Sequence, residues 1–86
     1  MTEAELEQHF LVMVAQLEFG AMVGLGLAEN PATKEKKPDP QHARLFIDQL
    51  AMLEAKTQGN LGERERKLLE EALYRLRMAF VESAKS

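Results

Sequence analysis

From Phe10 to Ala28 the chain carries a single charged residue, Glu18, and its apolar residues fall on more than one helical face. One stripe runs Leu6, Phe10, Val14, Leu17, Ala21, Leu25, at the three-and-four spacing of a helix. A second set, Leu11, Met13, Phe19, Met22 and Val23, points elsewhere. A helix apolar this far round must be wrapped by neighbours or share its surplus face with a partner. The run is long enough to raise the question of a membrane span. Gln16 and Glu18 in its middle, and Gly20, Gly24 and Gly26 diluting it, argue against one. A glutamate at a bilayer centre costs on the order of a few kcal/mol. A water-soluble helix is expected, and a membrane is not an expected partner.

The punctuation of the chain predicts three helices and no strand. Thr2 followed by Glu5 forms a capping box, with Met1 and Leu6 placed as a hydrophobic staple, so helix 1 covers about 3–26 with Gly26 as its stop. Asn30-Pro31 and Lys37-Pro38 break the chain around the Lys34–Lys37 charge cluster, leaving a long loop over 27–38. Asp39-Pro40 is an N-cap followed by proline at the first helical position, and helix 2 runs over about 40–58 along Ala43, Phe46/Ile47, Leu50 and Leu53. Gly59–Gly62 makes a tight turn into helix 3, about 63–83, whose stripe is Leu69, Ala72/Leu73, Leu76, Phe80. The last few residues are expected to fray. The fold class is therefore all-α: one domain over 1–86, a long N-terminal helix plus an antiparallel helix 2–helix 3 hairpin, completed by oligomerisation.

Size and charge explain why oligomerisation enters. A chain of 86 residues without cysteine has a thin stability margin and no disulfide to widen it. The hairpin's groove covers one stripe of helix 1, leaving Leu11, Met22, Val23 and Phe19 outside. Gly20 and Gly24, four apart, suit close approach by a neighbouring backbone. Phe10, Met13, Leu17, Gly20, Ala21 and Gly24 are accordingly the candidate self-association interface, in a dimer or tetramer. Before Lys34 there is no Lys or Arg, and five glutamates give −5; from Lys34 onward the balance is +2. Opposite charge on two parts of the chain favours docking of those parts, or of two copies.

Sites for chemistry are sparse. His9 and His42 each have a carboxylate nearby, Glu5 and Asp39, but no further ligand at metal spacing, so both read as surface histidines. Ser83 and Ser86 lie in the tail without a base beside them. The arginines and lysine of helix 3, Arg64, Arg66, Lys67, Arg75 and Arg77, are interleaved with Glu63, Glu65, Glu70 and Glu71. That pattern is a solvated, salt-bridged face, and with a net charge of −3 nucleic acid is not an expected partner. One polar group stands out: Asp48, Glu54, Lys56, Thr57 and Asn60, with Arg77 or Tyr74 brought level with Asp48 by the hairpin. Its plainest role is an ion pair that fixes register together with turn hydrogen bonds. Catalytic residues, metal and cofactor are not expected.

The segments Phe46-Ile47-Asp48-Gln49-Leu50, Met52-Leu53-Glu54, Lys56-Thr57, Gly59-Asn60-Leu61 and Leu73-Tyr74-Arg75-Leu76-Arg77-Met78 resemble a family of short bacterial proteins, domain of unknown function 1844. Leu25-Gly26 and Asn30-Pro31-Ala32-Thr33 share the likeness, and Lys56–Leu61 is its most specific part. Gly62 departs from it, standing where a Thr or Ser cap is expected. The resemblance implies a bacterial, cytoplasmic, helical protein and carries no activity or site residue. The functional expectation is a non-enzymatic, self-associating assembly or adaptor module, with another protein as a further partner. The alternative is a small-ligand-binding or regulatory protein that uses the Asp48–Asn60 region or the 27–38 loop.

Overall fold

The computed structural model describes residues 1–85 and contains three helices: α1 (Glu3–Gly24), α2 (Pro40–Lys56) and α3 (Glu63–Ala84). The expected tail position Ser86 lies outside the described residues.

Each helix starts where its cap demands. The Thr2 hydroxyl accepts the Glu5 N–H at 3.2 Å, and the Glu5 carboxylate accepts the Thr2 N–H at 2.9 Å. At α2 the Asp39 carboxylate accepts the His42 N–H at 3.3 Å, with Pro40 as the first helical residue. At α3 only half of the box exists: Glu65 accepts the Gly62 N–H at 2.7 Å, and glycine has no side chain to answer. The stops are also chemical. Gly26 takes φ +77°, its N–H reaches the Val23 carbonyl, and the Leu27 N–H reaches the Met22 carbonyl. That pair of bonds is a Schellman motif, in which the residue after the cap must be left-handed. It ends α1 at Gly24 rather than at the expected Gly26. At the end of α2 the Thr57 hydroxyl donates to the Leu53 carbonyl at 2.5 Å, and the helix stops at Lys56, short of the expected 58.

Two ion pairs give the topology. Glu7 meets Arg64 at 3.4 Å and Glu18 meets Arg75 at 2.9 Å. The partners step forward by eleven residues on both helices, so α1 and α3 run parallel, with α2 antiparallel to each. The expected docking of acidic and basic parts takes place inside one chain. Val14 and Ala21 of α1, Leu25 just beyond it, Ala43, Ile47 and Leu50 of α2, and Leu69, Ala72, Leu73 and Leu76 of α3 form one core. The molecule measures 42 × 26 × 16 Å.

α1 packs most extensively on α2. A Cβ at Gly24 would sit 2.7 Å from the Ala43 Cα, and one at Gly20 2.6 Å from the Phe46 ring. The close backbone approach expected at these glycines is made at Gly24, by α2 of the same chain, whereas at Gly20 the neighbour is the Phe46 side chain of α2. Val23 is the correction on this helix. It was expected outside but is buried, because the chain beyond Gly26 folds back and the Asp39 N–H bonds to the Gly24 carbonyl at 2.7 Å. Leu11 and Met22 are half-buried, and Phe19 stays 45% exposed. No helix among the described residues is long and apolar enough to cross a membrane.

Candidate functional site

The six residues expected at a self-association interface divide unequally. Ala21 and Gly24 are fully enclosed, Phe10, Leu17 and Gly20 are half-buried, and Phe10 and Leu17 pack on the core. Met13 alone of the six is exposed, at 40%. The face of α1 that reaches solvent is instead Gln8, His9, Val12, Ala15, Gln16 and Phe19. Val12 and Phe19 are each nearly half exposed, two helical turns apart, with Ala15 between them. This face has no Asp, Glu, Lys or Arg from Gln8 to the end of the helix, since Glu18 turns aside to Arg75. Its apolar members were in the sequence, but a helix apolar all round does not announce which side its own hairpin will take.

The polar group of α2 and the following turn does not form one site. Glu54 and Thr57 line a hollow of about 190 Å³ with Gln58, Leu61, Arg66 and Leu69. Asp48 and Arg77 line another, of about 290 Å³, with Arg44, Ile47, Phe80 and Val81. The hairpin does bring Asp48 and Arg77 to one hollow, yet no ion pair joins them among the described residues. Tyr74 is exposed. Asn60 is exposed and serves the turn, its N–H bonding to the Thr57 carbonyl and its amide to the Gln58 carbonyl. Lys56 is exposed at the helix end.

The 27–38 loop has more internal order than its composition announced. The Asn30 side chain accepts the Ala32 N–H at 2.8 Å, the Asn30 N–H bonds to the Glu35 carbonyl, and Lys34 takes a left-handed φ of 63°. Folded so, the loop walls a hollow of about 510 Å³ lined by Asn30, Thr33, Glu35, Lys37, Asp39 and His42. The sequence expectation for His42 is a surface histidine. His42 is half-exposed, and its ring leans on Phe46 with centroids 4.9 Å apart. Sequence reasoning singled out the loop but not this hollow: Asp39 and His42 meet at the α2 cap, and the loop residues come to them from a segment closed by Asn30 and Glu35.

On α3 one arginine pairs within the helix, while Arg64 and Arg75 pair with α1. Arg66 is held between Glu63 at 2.5 Å and Glu70 at 2.9 Å, and these two carboxylates push its guanidinium pKa further up. No group of three or more His, Cys, Asp or Glu that could hold a metal ion occurs among the described residues.

Fold and surface define a small up-down-up three-helix domain with hollows at the 27–38 loop and along the α2–α3 hairpin and one helix face turned to solvent without Asp, Glu, Lys or Arg from Gln8 onward. The chain belongs to the family described as domain of unknown function 1844, whose model matches residues 7–82. No curated protein and no solved structure matches it.

Proposed function

We propose that this chain is a non-enzymatic assembly module that self-associates through the outer face of α1. The observation that carries the reading is the band of Gln8, His9, Val12, Ala15, Gln16 and Phe19, free of Asp, Glu, Lys and Arg, with Val12 and Phe19 each nearly half exposed. An apolar contact without charge suits a partner surface of the same kind, and a second copy supplies one by two-fold symmetry. In an antiparallel pairing about Ala15 and Gln16, Val12 of one copy lies opposite Phe19 of the other, and the small Ala15 permits close crossing. The interface moves off the glycine side of α1, which α2 occupies, to the opposite side. The setting we propose is the bacterial cytoplasm, which the family resemblance supports. Sedimentation of the purified chain should show a dimer or larger species that V12E/F19E converts to monomer with the fold intact. A wild-type monomer at high micromolar concentration would end this reading.

A second reading rests on the loop hollow. Six polar side chains around about 510 Å³ suit a small polar ligand, held between the carboxylates of Glu35 and Asp39 and the cationic Lys37. A ligand screen by thermal shift should then give hits that Lys37→Ala and Glu35→Ala abolish. Hits indifferent to both changes would place the ligand elsewhere.

A further inference from the structure

The α2–α3 hairpin has two sides, and one of them shows what the hairpin accepts. On that side lies α1, an acidic, apolar helix. Its stripe enters the core, while Glu7 and Glu18 at its edge pair with Arg64 and Arg75 of α3. A second seam between α2 and α3 offers similar chemistry with nothing upon it. Its hollow of about 290 Å³ has Ile47, Phe80 and Val81 as apolar lining and Arg44 and Arg77 as cations, one from each helix. Neither arginine has an ion-pair partner within 4.0 Å among the described residues. Asp48 shares the hollow, so its three charged groups sum to one positive charge.

We propose that this seam is a docking surface for an acidic amphipathic helix of another protein. Its apolar residue would enter between Ile47, Phe80 and Val81, and its carboxylates would reach Arg44 and Arg77. Guanidinium groups recognise carboxylates through paired N–H donors, which gives the contact orientation as well as attraction. Charge complementarity favours this occupant over the outer face of α1 of a second copy, which carries no Asp, Glu, Lys or Arg from Gln8 onward. The two cations, one on each helix, suit the spaced carboxylates of a helix better than the single carboxylate of a fatty acid, and about 290 Å³ has room for one or two side chains. The surface is separate from the outer face of α1, so it stands or falls independently of self-association.

The test uses the full chain and a fluorescein-labelled helical peptide with one leucine stripe flanked by glutamates, beside a twin with lysines in their place. Fluorescence anisotropy should show binding of the acidic peptide alone, weakening as salt is raised. R44E/R77E should weaken it on the order of tenfold or more, while R44K/R77K keeps part of the affinity. Both arginines are exposed and unpaired, so the variants should melt as the parent does, and circular dichroism checks this. No binding, equal binding of the two peptides, or binding untouched in a folded R44E/R77E would overturn the proposal. So would displacement of the peptide by laurate at lower concentration than by unlabelled peptide, which would assign the seam to a fatty acid. A change in sedimentation mass caused by R44E/R77E would assign it to a second copy.

Discussion

Gly24 is the residue whose replacement the structure tolerates least for its size. A methyl group there would lie 2.7 Å from the Ala43 Cα and 2.9 Å from its Cβ, against a backbone that cannot turn aside. Gly24→Ala should destabilise the chain by about 1–3 kcal/mol, as overpacking of a close contact does, and urea or thermal melts read the loss. Gly20→Ala should cost less, because the obstacle is the Phe46 ring, which can rotate away. Equal melting of parent and Gly24→Ala would mean that the two helices are not this close. Glu5 supplies a pH signature. The Thr2 backbone N–H, and after it the Thr2 hydroxyl, lower its carboxyl pKa below the ordinary value. A group depressed in the folded state stabilises above its unfolded pKa, and that contribution is lost as pH falls through the folded value. The first turn of α1 should therefore loosen on acidification, seen as lower protection of the Thr2 and Leu6 amides relative to their intrinsic exchange rates at the same pH. Glu5→Ala should remove the pH dependence of that local opening. The glycine contact shows where residue-level reading stops: the spacing of Gly20 and Gly24 told that a neighbour comes close, and nothing local told that it is the Ala43 backbone at one and the Phe46 ring at the other.

At the scale of elements, the start signals were legible because capping is local chemistry. Thr2 with Glu5, Asp39 with Pro40, and Glu65 beneath Gly62 each act within four residues of their own helix. The outward faces were less legible. In α2 and α3 charged positions mark the solvent side, whereas α1 has too few charges to mark one. Its orientation comes from tertiary contacts, chief among them the burial of Val14, Ala21 and Leu25 against α2 and α3, with the two carboxylate–arginine pairs at its edge. The Asp48–Asn60 group failed as a unit for a related reason. Asp48 lies three turns up α2 from Asn60, so the turn and the α2–α3 seam draw its members to different hollows. The Glu18–Arg75 pair offers the cleanest test of register. Its carboxylate side chain is 21% exposed and the arginine 58%, so screening by water is substantial. A double-mutant cycle with Glu18→Gln and Arg75→Gln should give a coupling of about 0.2–1 kcal/mol, shrinking as salt is added. A coupling of zero at low salt would place the two side chains apart.

For the whole molecule, stability and assembly are linked. A domain of this size buries a modest share of its surface, and Val12, Met13, Phe19, Leu45, Met52, Tyr74, Met78 and Val81 all remain substantially exposed. If the outer face of α1 joins two copies, association stabilises folding by mass action. The melting midpoint should then rise with protein concentration in the parent and stay constant in V12E/F19E, as calorimetry over a concentration series would show. A midpoint independent of concentration in the parent would separate folding from assembly.

The hydrogen bond from the Asp39 N–H to the Gly24 carbonyl has a consequence for how this chain tolerates change. It pins together the two residues between which the intervening segment departs from the bundle and returns to it. The segment is thus a handle rather than a tether: its length is not what spans the distance between α1 and α2. Because doubling a flexible loop costs only about 0.6 kcal/mol in closure entropy, extra residues near Lys36 would be displayed at one pole of the bundle without altering its packing. New specificity could be grafted there while the three helices stay as they are.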